Sequence, residues 1–144
     1  MDAMEQKVRD SFAKQDFLRT LGAELTRVEP GRVDVRCAFR DDLRQQHGYV
    51  HAGVLFTLGD TAAGYAALTM MPLDKAVLSV EVKINLLSPA LGESLEARAR
   101  SLRAGRQLHV IAVDVFALAV GQEKHVATML ATLMCVEPRN GVAA

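Results

Sequence analysis

The chain has 144 residues, a length that suits one domain with a buried core. Apolar residues make up 50% and charged residues 24% of it, which excludes a disordered chain. Lysine and arginine together number 17, as do aspartate and glutamate, so no charge excess indicates a nucleic acid or an anionic membrane surface as a partner.

Cysteine usage and the N-terminal residues predict a soluble cytoplasmic protein. Cys37 and Cys135 form no CxxC pair, which is typical of buried free thiols in a reducing compartment. The polar N-terminus contains no hydrophobic signal region. No uninterrupted apolar run reaches the roughly 18 residues that a membrane-spanning helix needs.

The first third of the chain predicts a helix followed by a hairpin. Apolar side chains spaced among charges indicate an amphipathic helix within residues 1–20. Residues 21–29 and 32–39 lie on either side of the turn signal Pro30-Gly31, and the second segment alternates between apolar and charged side chains. We therefore expect two antiparallel strands here.

The middle of the chain predicts a loop and then one long helix. Residues 41–50 are polar and hold no regular period, which indicates a loop. Residues 52–71 are apolar on nearly every side, a pattern that predicts a buried helix, and Pro72 ends it.

Four further strands are predicted after the helix, at residues 76–87, 94–102, 109–120 and 125–136. The first places its apolar residues on one face: Leu78, Val80, Val82, Ile84 and Leu86. The last two are apolar on both faces, which favours central strands covered on both sides.

This order of elements predicts the α+β class. One apolar helix and about six antiparallel strands suit a sheet curled around that helix. Neither repeats nor a linker interrupt the chain, so we expect a single domain over residues 1–144. Residues 137–144 are expected to form a flexible tail.

The long helix carries one narrow polar stripe in its otherwise apolar surface. Thr57, Asp60, Thr61 and Gly64 are spaced at i, i+3, i+4 and i+7, so they share one face. A carboxylate among apolar groups is costly without a partner. Asp60 either caps a neighbouring element or pairs with an arginine at a subunit contact, or it serves as a catalytic carboxylate beside a substrate groove.

Two histidines precede that stripe. His47 and His51 have the i, i+4 spacing of a metal pair, but Gly48 and the loop context argue against a helix there, so no metal site is expected. If the helix begins at His51, Asp60 lies about 13 Å further along the axis and faces the opposite side. The two can share a site only if a second chain supplies one of them.

The motif around these residues is similar to that of a known family. The segment HAGVLFTLGDTAAG (51–64), preceded by Gln45 and followed by SVEVKINLLSPALGE (79–93), resembles the hotdog-fold acyl-CoA thioesterases of the phenylacetate-degradation and 4-hydroxybenzoyl-CoA type. The resemblance covers residues 21–136. It implies the hotdog fold, in which the sheet wraps around the helix, and sites at the interface of a homodimer or of a dimer of dimers.

The resemblance also implies a role for each matching residue. Asp60 matches the carboxylate that acts as general base on water or as nucleophile. Ala52 matches the residue whose backbone N–H polarises the thioester carbonyl, and Gln45 matches an amide that positions the carbonyl or the water. His51 matches the histidine that orients the loop, and Ser79 matches a residue that holds the attacking water.

The remaining assignments concern the substrate. Gly53 completes the motif and is expected to contact the substrate, although this chain has Ala52 where the family usually has a first glycine. Lys83, Arg103 and Arg106 are candidates for contacts with the phosphates of coenzyme A. Their alternative role is solvated surface charge.

The resemblance thus predicts an acyl-CoA thioesterase that needs no cofactor beyond the CoA of its substrate. A non-catalytic acyl-CoA sensor on the same fold is the alternative, and a hotdog dehydratase or hydratase is a further one. The sequence lacks the HFP-like segment that a dehydratase would carry. Retention of Asp60 and Gln45 favours catalysis.

Overall fold

The computed structural model describes residues 1–139, which form one six-stranded sheet and three α-helices. The helices are α1 (Ala3–Ala13), α2 (Asp16–Leu21) and α3 (Ala52–Leu68), and a 3₁₀ turn spans Asp41–Leu43. The strands are β1 (Glu24–Glu29), β2 (Arg32–Ala38), β3 (Ala76–Leu86), β4 (Ser94–Ala104), β5 (Leu108–Ala119) and β6 (Gln122–Val136). The expected tail at 137–144 lies for the most part outside the described residues.

The sheet is antiparallel throughout, with the strand order β1-β2-β4-β5-β6-β3. It curls around α3, and this confirms the predicted α+β architecture of about six strands around one long helix. Because strand side chains alternate between faces, every second residue of β2 and β5 points at α3 and is buried, as Val33, Val35 and Cys37 illustrate. The core therefore lies between the sheet and the helix.

The N-terminal region forms two helices, so the prediction of one helix over residues 1–20 is wrong. The break falls at Lys14 and Gln15, where Gln15 takes extended backbone angles (φ −84°, ψ 101°). Neither residue is a helix breaker, so tertiary contacts decide: Gln15 Nε2 donates a hydrogen bond to Tyr65 Oη at 2.6 Å. After the break, Leu18 turns inwards and is buried.

Strand β3 contains a bulge that the sequence pattern did not reveal. The register with β6 shifts between Ser79 and Glu81, so Val80 is an extra residue without a cross-strand partner. Ser79 consequently faces α3, and Leu78 and Val80 are 62% and 59% exposed. The predicted single apolar face of β3 is thus wrong, because one inserted residue reverses the side-chain order.

Strands β5 and β6 are central, as predicted, but only one of their faces is buried within the described chain. The outer face carries polar groups such as Asp114, which accepts hydrogen bonds from Arg100 and Thr128. Arg98 stacks on the Phe116 ring at 4.4 Å from its centroid. One helix can cover only one side of a sheet, which explains why the expected second cover is missing here.

Helix α3 ends at Leu68, three residues before the predicted end, and Thr69 caps it. Among residues 1–139, no helix has the length and apolar character that crossing a bilayer requires.

Among residues 1–139, the core contains one side chain whose buried polar atoms have no hydrogen-bond partner. His109 is 1% exposed, and neither ring nitrogen has a hydrogen-bond partner among residues 1–139. Burial lowers the pKa of His109 below its ordinary 6.5, so the folded protein keeps the ring neutral where the unfolded chain becomes charged. The contribution to stability is therefore complete above about pH 6.5 and is lost as the pH falls below that value.

We expect His109→Leu to raise the free energy of unfolding by about 1 kcal/mol at pH 7.5, because it removes two unsatisfied polar atoms at nearly constant volume. The difference in free energy of unfolding between the variant and the natural protein should grow as the pH falls from 6.5 to 5. Burial also raises the pKa of Asp34, so this carboxyl group makes the folded protein less stable as the pH rises. Both proteins contain Asp34, so its contribution cancels when their free energies of unfolding are compared. Urea unfolding of both proteins at pH 7.5 and at pH 5 measures their free energies of unfolding. A variant that is less stable than the natural protein at pH 7.5 would contradict the expectation.

Candidate functional site at the start and middle of helix α3

The N-terminus of α3 leaves one backbone donor without a partner. His51 is the N-cap, and its Nδ1 accepts a hydrogen bond from Gly53 N–H at 2.8 Å, while Val54 N–H donates to the His51 carbonyl at 2.9 Å. Ala52 N–H makes no hydrogen bond with any of the described residues. Helix N-termini carry partial positive charge, so this donor is suited to an oxygen that becomes negative.

The glycine after Ala52 serves the cap. An added Cβ on Gly53 would lie 2.9 Å from His51 Nδ1, so a side chain there would displace the ring. Its N–H is occupied by His51 and is not free for a substrate. Ala52 itself is the first helical residue, in right-handed conformation, and its methyl group therefore causes no backbone strain.

Gln45 organises the loop before α3. Its Oε1 accepts hydrogen bonds from the backbone N–H groups of His47 at 2.6 Å and Tyr49 at 3.2 Å, and Gly48 takes a positive φ of 87° in the turn between them. Two backbone donors fix the orientation of the amide, so its NH₂ group points away from the turn. The His47 side chain is exposed and takes no part in these contacts.

These groups share one cleft. Gln45, His51 and Ala52 line a space of about 480 Å³ whose other walls are mainly apolar, and include Leu55 and Leu86. The cleft thus places an amide NH₂ group and a helix N-terminal donor beside an apolar surface.

Asp60 lies in a different cleft. Ser79 Oγ donates a hydrogen bond to Asp60 Oδ1 at 2.7 Å, which leaves Oδ2 without a hydrogen bond to any described residue. Asp60 is half-buried in the single chain. Three residues of the polar stripe, Asp60, Thr61 and Gly64, border an open cleft of about 330 Å³.

The structure therefore groups the predicted residues into two sets. Gln45, His51 and Ala52 form one set, and Asp60 and Ser79 form the other, on different clefts of the same chain. This separation agrees with the nine residues of helix between His51 and Asp60.

The three basic residues lie elsewhere. Lys83 is exposed on β3, Arg103 on β4 and Arg106 in the turn between β4 and β5, and none of them lines either cleft. Their contact with CoA phosphates stays a prediction.

Sequence reasoning missed part of the Asp60 cleft. Ser11, Lys14 and Gln15 line it from the N-terminal helices, and Tyr65 lines it from α3. Tyr65 lies 50 or more positions after Ser11 and Gln15 in the chain, and tertiary hydrogen bonds to its Oη bring them together. The sequence contains no breaker residue at Lys14 or Gln15, so it carries no local signal for this wall.

The sequence and the fold are similar to those of known proteins. The family profile described as "Thioesterase superfamily" matches residues 47–123. The crystal structure of a thioesterase family protein from Silicibacter pomeroyi is 45% identical, covers 94% of this chain and all of its own, and superposes with a TM-score of 0.92.

Two more distant proteins extend the comparison. The 1,4-dihydroxy-2-naphthoyl-CoA hydrolase of Listeria monocytogenes is 27% identical over 67% of this chain and 78% of its own. The PaaI protein of the E. coli phenylacetic acid degradation operon is 22% identical, with 92% and 93% of the two chains covered and a TM-score of 0.83, a likeness of fold alone. With more than half of its residues matched by the family profile, the chain belongs to the thioesterase superfamily.

Proposed function

We propose that the protein is a hydrolase of acyl-CoA thioesters whose site is shared between two chains of a homodimer. The observation that carries the proposal is the Ala52 N–H, a donor at the start of α3 without an acceptor among the described residues. Gln45, His51 and Ala52 of one chain and Asp60 and Ser79 of the other make up each site.

The reaction follows from these groups. The thioester carbonyl oxygen accepts a hydrogen bond from Ala52 N–H, and the Gln45 NH₂ group helps to position it. As negative charge develops on that oxygen, the helix N-terminus stabilises it. His51 holds the donor in place through its cap to Gly53.

Asp60 is responsible for the attack on the carbonyl carbon. As general base, its Oδ2 takes a proton from water while the water oxygen attacks the carbonyl carbon; as nucleophile, Oδ2 attacks that carbon itself and water later releases the acid. In both cases the carbon–sulfur bond breaks and CoA leaves as the thiolate, which takes a proton from Asp60 in the first route and from water in the second to give the thiol. Ser79 orients the carboxylate through Oδ1. Protein groups and water complete this sequence.

The exposed edge of the sheet supports the homodimer. Strand β3 pairs with β6 on one side and with no described strand on the other, and it spans 11 residues. Its side chains Leu78 and Val80 are largely exposed. A long, apolar edge invites pairing with a second copy. Assembly of two such dimers into a tetramer, and contacts of Lys83, Arg103 and Arg106 with CoA phosphates, belong to the same proposal.

A non-catalytic acyl-CoA sensor is the second candidate, because the cleft at Ala52 could hold a thioester without hydrolysing it. The hydrolase named among the relatives acts on an aromatic acyl-CoA, which favours turnover. A dehydratase or hydratase is less well supported, because the sequence lacks the HFP-like segment that such an enzyme would carry.

The test is release of free CoA thiol from a panel of acyl-CoAs, from short aliphatic to arylacyl, followed with a thiol reagent. We expect turnover with at least one of them. Saturable binding across the panel without release of thiol would favour the sensor and contradict the proposal.

A further inference from the structure

One wall of the cleft beside Asp60 is formed by the break between α1 and α2. The α1–α2 break occurs at Lys14 and Gln15 without a proline or glycine, and these two residues line the cleft together with Ser11. A helix that breaks without a breaker residue is held there by its contacts. Arg19 of α2 donates a hydrogen bond back to the Ala13 carbonyl at 2.7 Å, and two further side-chain contacts lead to one residue of α3.

That residue is Tyr65, which is 4% exposed. Its Oη accepts a hydrogen bond from Gln15 Nε2 at 2.6 Å and lies 3.0 Å from Ser11 Oγ. Because the ring is buried, these bonds fix the break against α3. Tyr65 is five residues after Asp60, about 7.5 Å along the helix axis. An acyl chain of a few carbon–carbon bonds can therefore span the distance from the Asp60 carboxylate to this wall.

Lys14 brings a positive charge to this wall. The Lys14 side chain is exposed, and its ammonium group has neither a salt bridge nor a hydrogen bond within residues 1–139. Gln15 and Ser11 add an amide and a hydroxyl beside it. The cleft is also lined by Val77, which is half-buried, and by Leu133, which is fully buried. It thus offers an apolar contact at Val77 and a cation without a partner among residues 1–139.

From this arrangement we infer that the cleft receives the acyl group, and that Lys14, with Ser11 and Gln15, selects acyl groups that end in a carboxylate. The inference rests on the proposed function and names its substrate class, the CoA monothioesters of dicarboxylic acids. The apolar wall packs against the methylene chain, and the ammonium group forms a charge-assisted hydrogen bond with the terminal carboxylate.

The experiment compares three substrates of equal chain length: hexanoyl-CoA, 6-hydroxyhexanoyl-CoA and adipyl-CoA. We expect kcat/KM to be at least about tenfold higher for adipyl-CoA than for hexanoyl-CoA, with the hydroxy compound between them. Lys14→Met should abolish that preference, and Lys14→Arg should retain most of it. Lys124→Met, which removes an exposed lysine remote from the cleft, is the control and should leave the preference unchanged.

Binding of two thioethers that cannot be hydrolysed separates this inference from the proposed function. S-(5-carboxypentyl)-CoA should bind about tenfold more tightly than S-hexyl-CoA, and Lys14→Met should equalise the two. Turnover without preference for the carboxylate, together with equal thioether affinities, overturns the inference and leaves the hydrolase proposal intact. If no substrate is hydrolysed but the thioether preference appears, the hydrolase proposal fails and the selectivity stands.

Discussion

Asp60→Asn is expected to lower kcat for thioester hydrolysis by roughly 10²- to 10⁴-fold, because an amide can neither take a proton from water nor attack the carbonyl carbon. The substitution keeps the shape of the side chain and the hydrogen bond from Ser79 Oγ to Oδ1. KM should change little, since the carboxylate acts on the reacting atoms. Release of CoA thiol under saturating substrate measures the effect.

A matched variant distinguishes the role of the Asp60 carboxylate from that of the hydrogen bond that Ser79 donates to it. Ser79→Ala removes only the hydrogen bond to Oδ1 and is expected to lower kcat about tenfold, the loss typical of a bond to a charged group. Because Asp60 is half-buried, neither variant should change Tm by more than a few degrees. Asp60→Asn with activity near that of the natural protein would contradict the mechanism.

Ala52→Pro is expected to lower kcat/KM roughly 10²- to 10³-fold, because it removes the one backbone N–H assigned to the carbonyl oxygen. Proline is favoured at the first position of a helix, where its missing N–H has no helical partner. His51 already has φ −61° and ψ 136°, the extended conformation that a residue before proline requires. The fold should therefore tolerate the change.

Ala52→Gly is the control for that variant, since it keeps the N–H and removes the methyl group. We expect it to retain most of the activity. Circular dichroism and Tm establish that both variants are folded. If Ala52→Pro hydrolysed acyl-CoA as well as Ala52→Gly does, the backbone donor would have no part in the reaction.

Much of this fold follows from sequence pattern because the pattern reports burial directly. The alternation of Val33, Val35 and Cys37 marks the inner face of β2, and the apolar residues of α3 mark a helix enclosed by the sheet. The spacing of His51 and Asp60 was enough to place them on different clefts of one chain, since helix geometry fixes the distance between them.

The features that the sequence did not reveal depend on contacts between distant residues. The bulge at Val80 reverses one strand, and nothing local to β3 distinguishes it from continuous alternation. The helix break at Gln15 depends on Tyr65, which lies 50 residues further along the chain. The half-exposure of Asp60 likewise follows from how β3 and α1 border the helix, and hydrophobic periodicity cannot report that.

Mixed dimers of Asp60→Asn and Ala52→Pro chains test most directly whether each site draws on two chains. Each parent dimer is expected to be nearly inactive. After the two are unfolded together and refolded, mixed dimers contain one site with both groups intact, so the sample should regain roughly a quarter of the natural activity. A site contained in one chain would be defective in every molecule, and no recovery above the parent proteins would contradict the shared site.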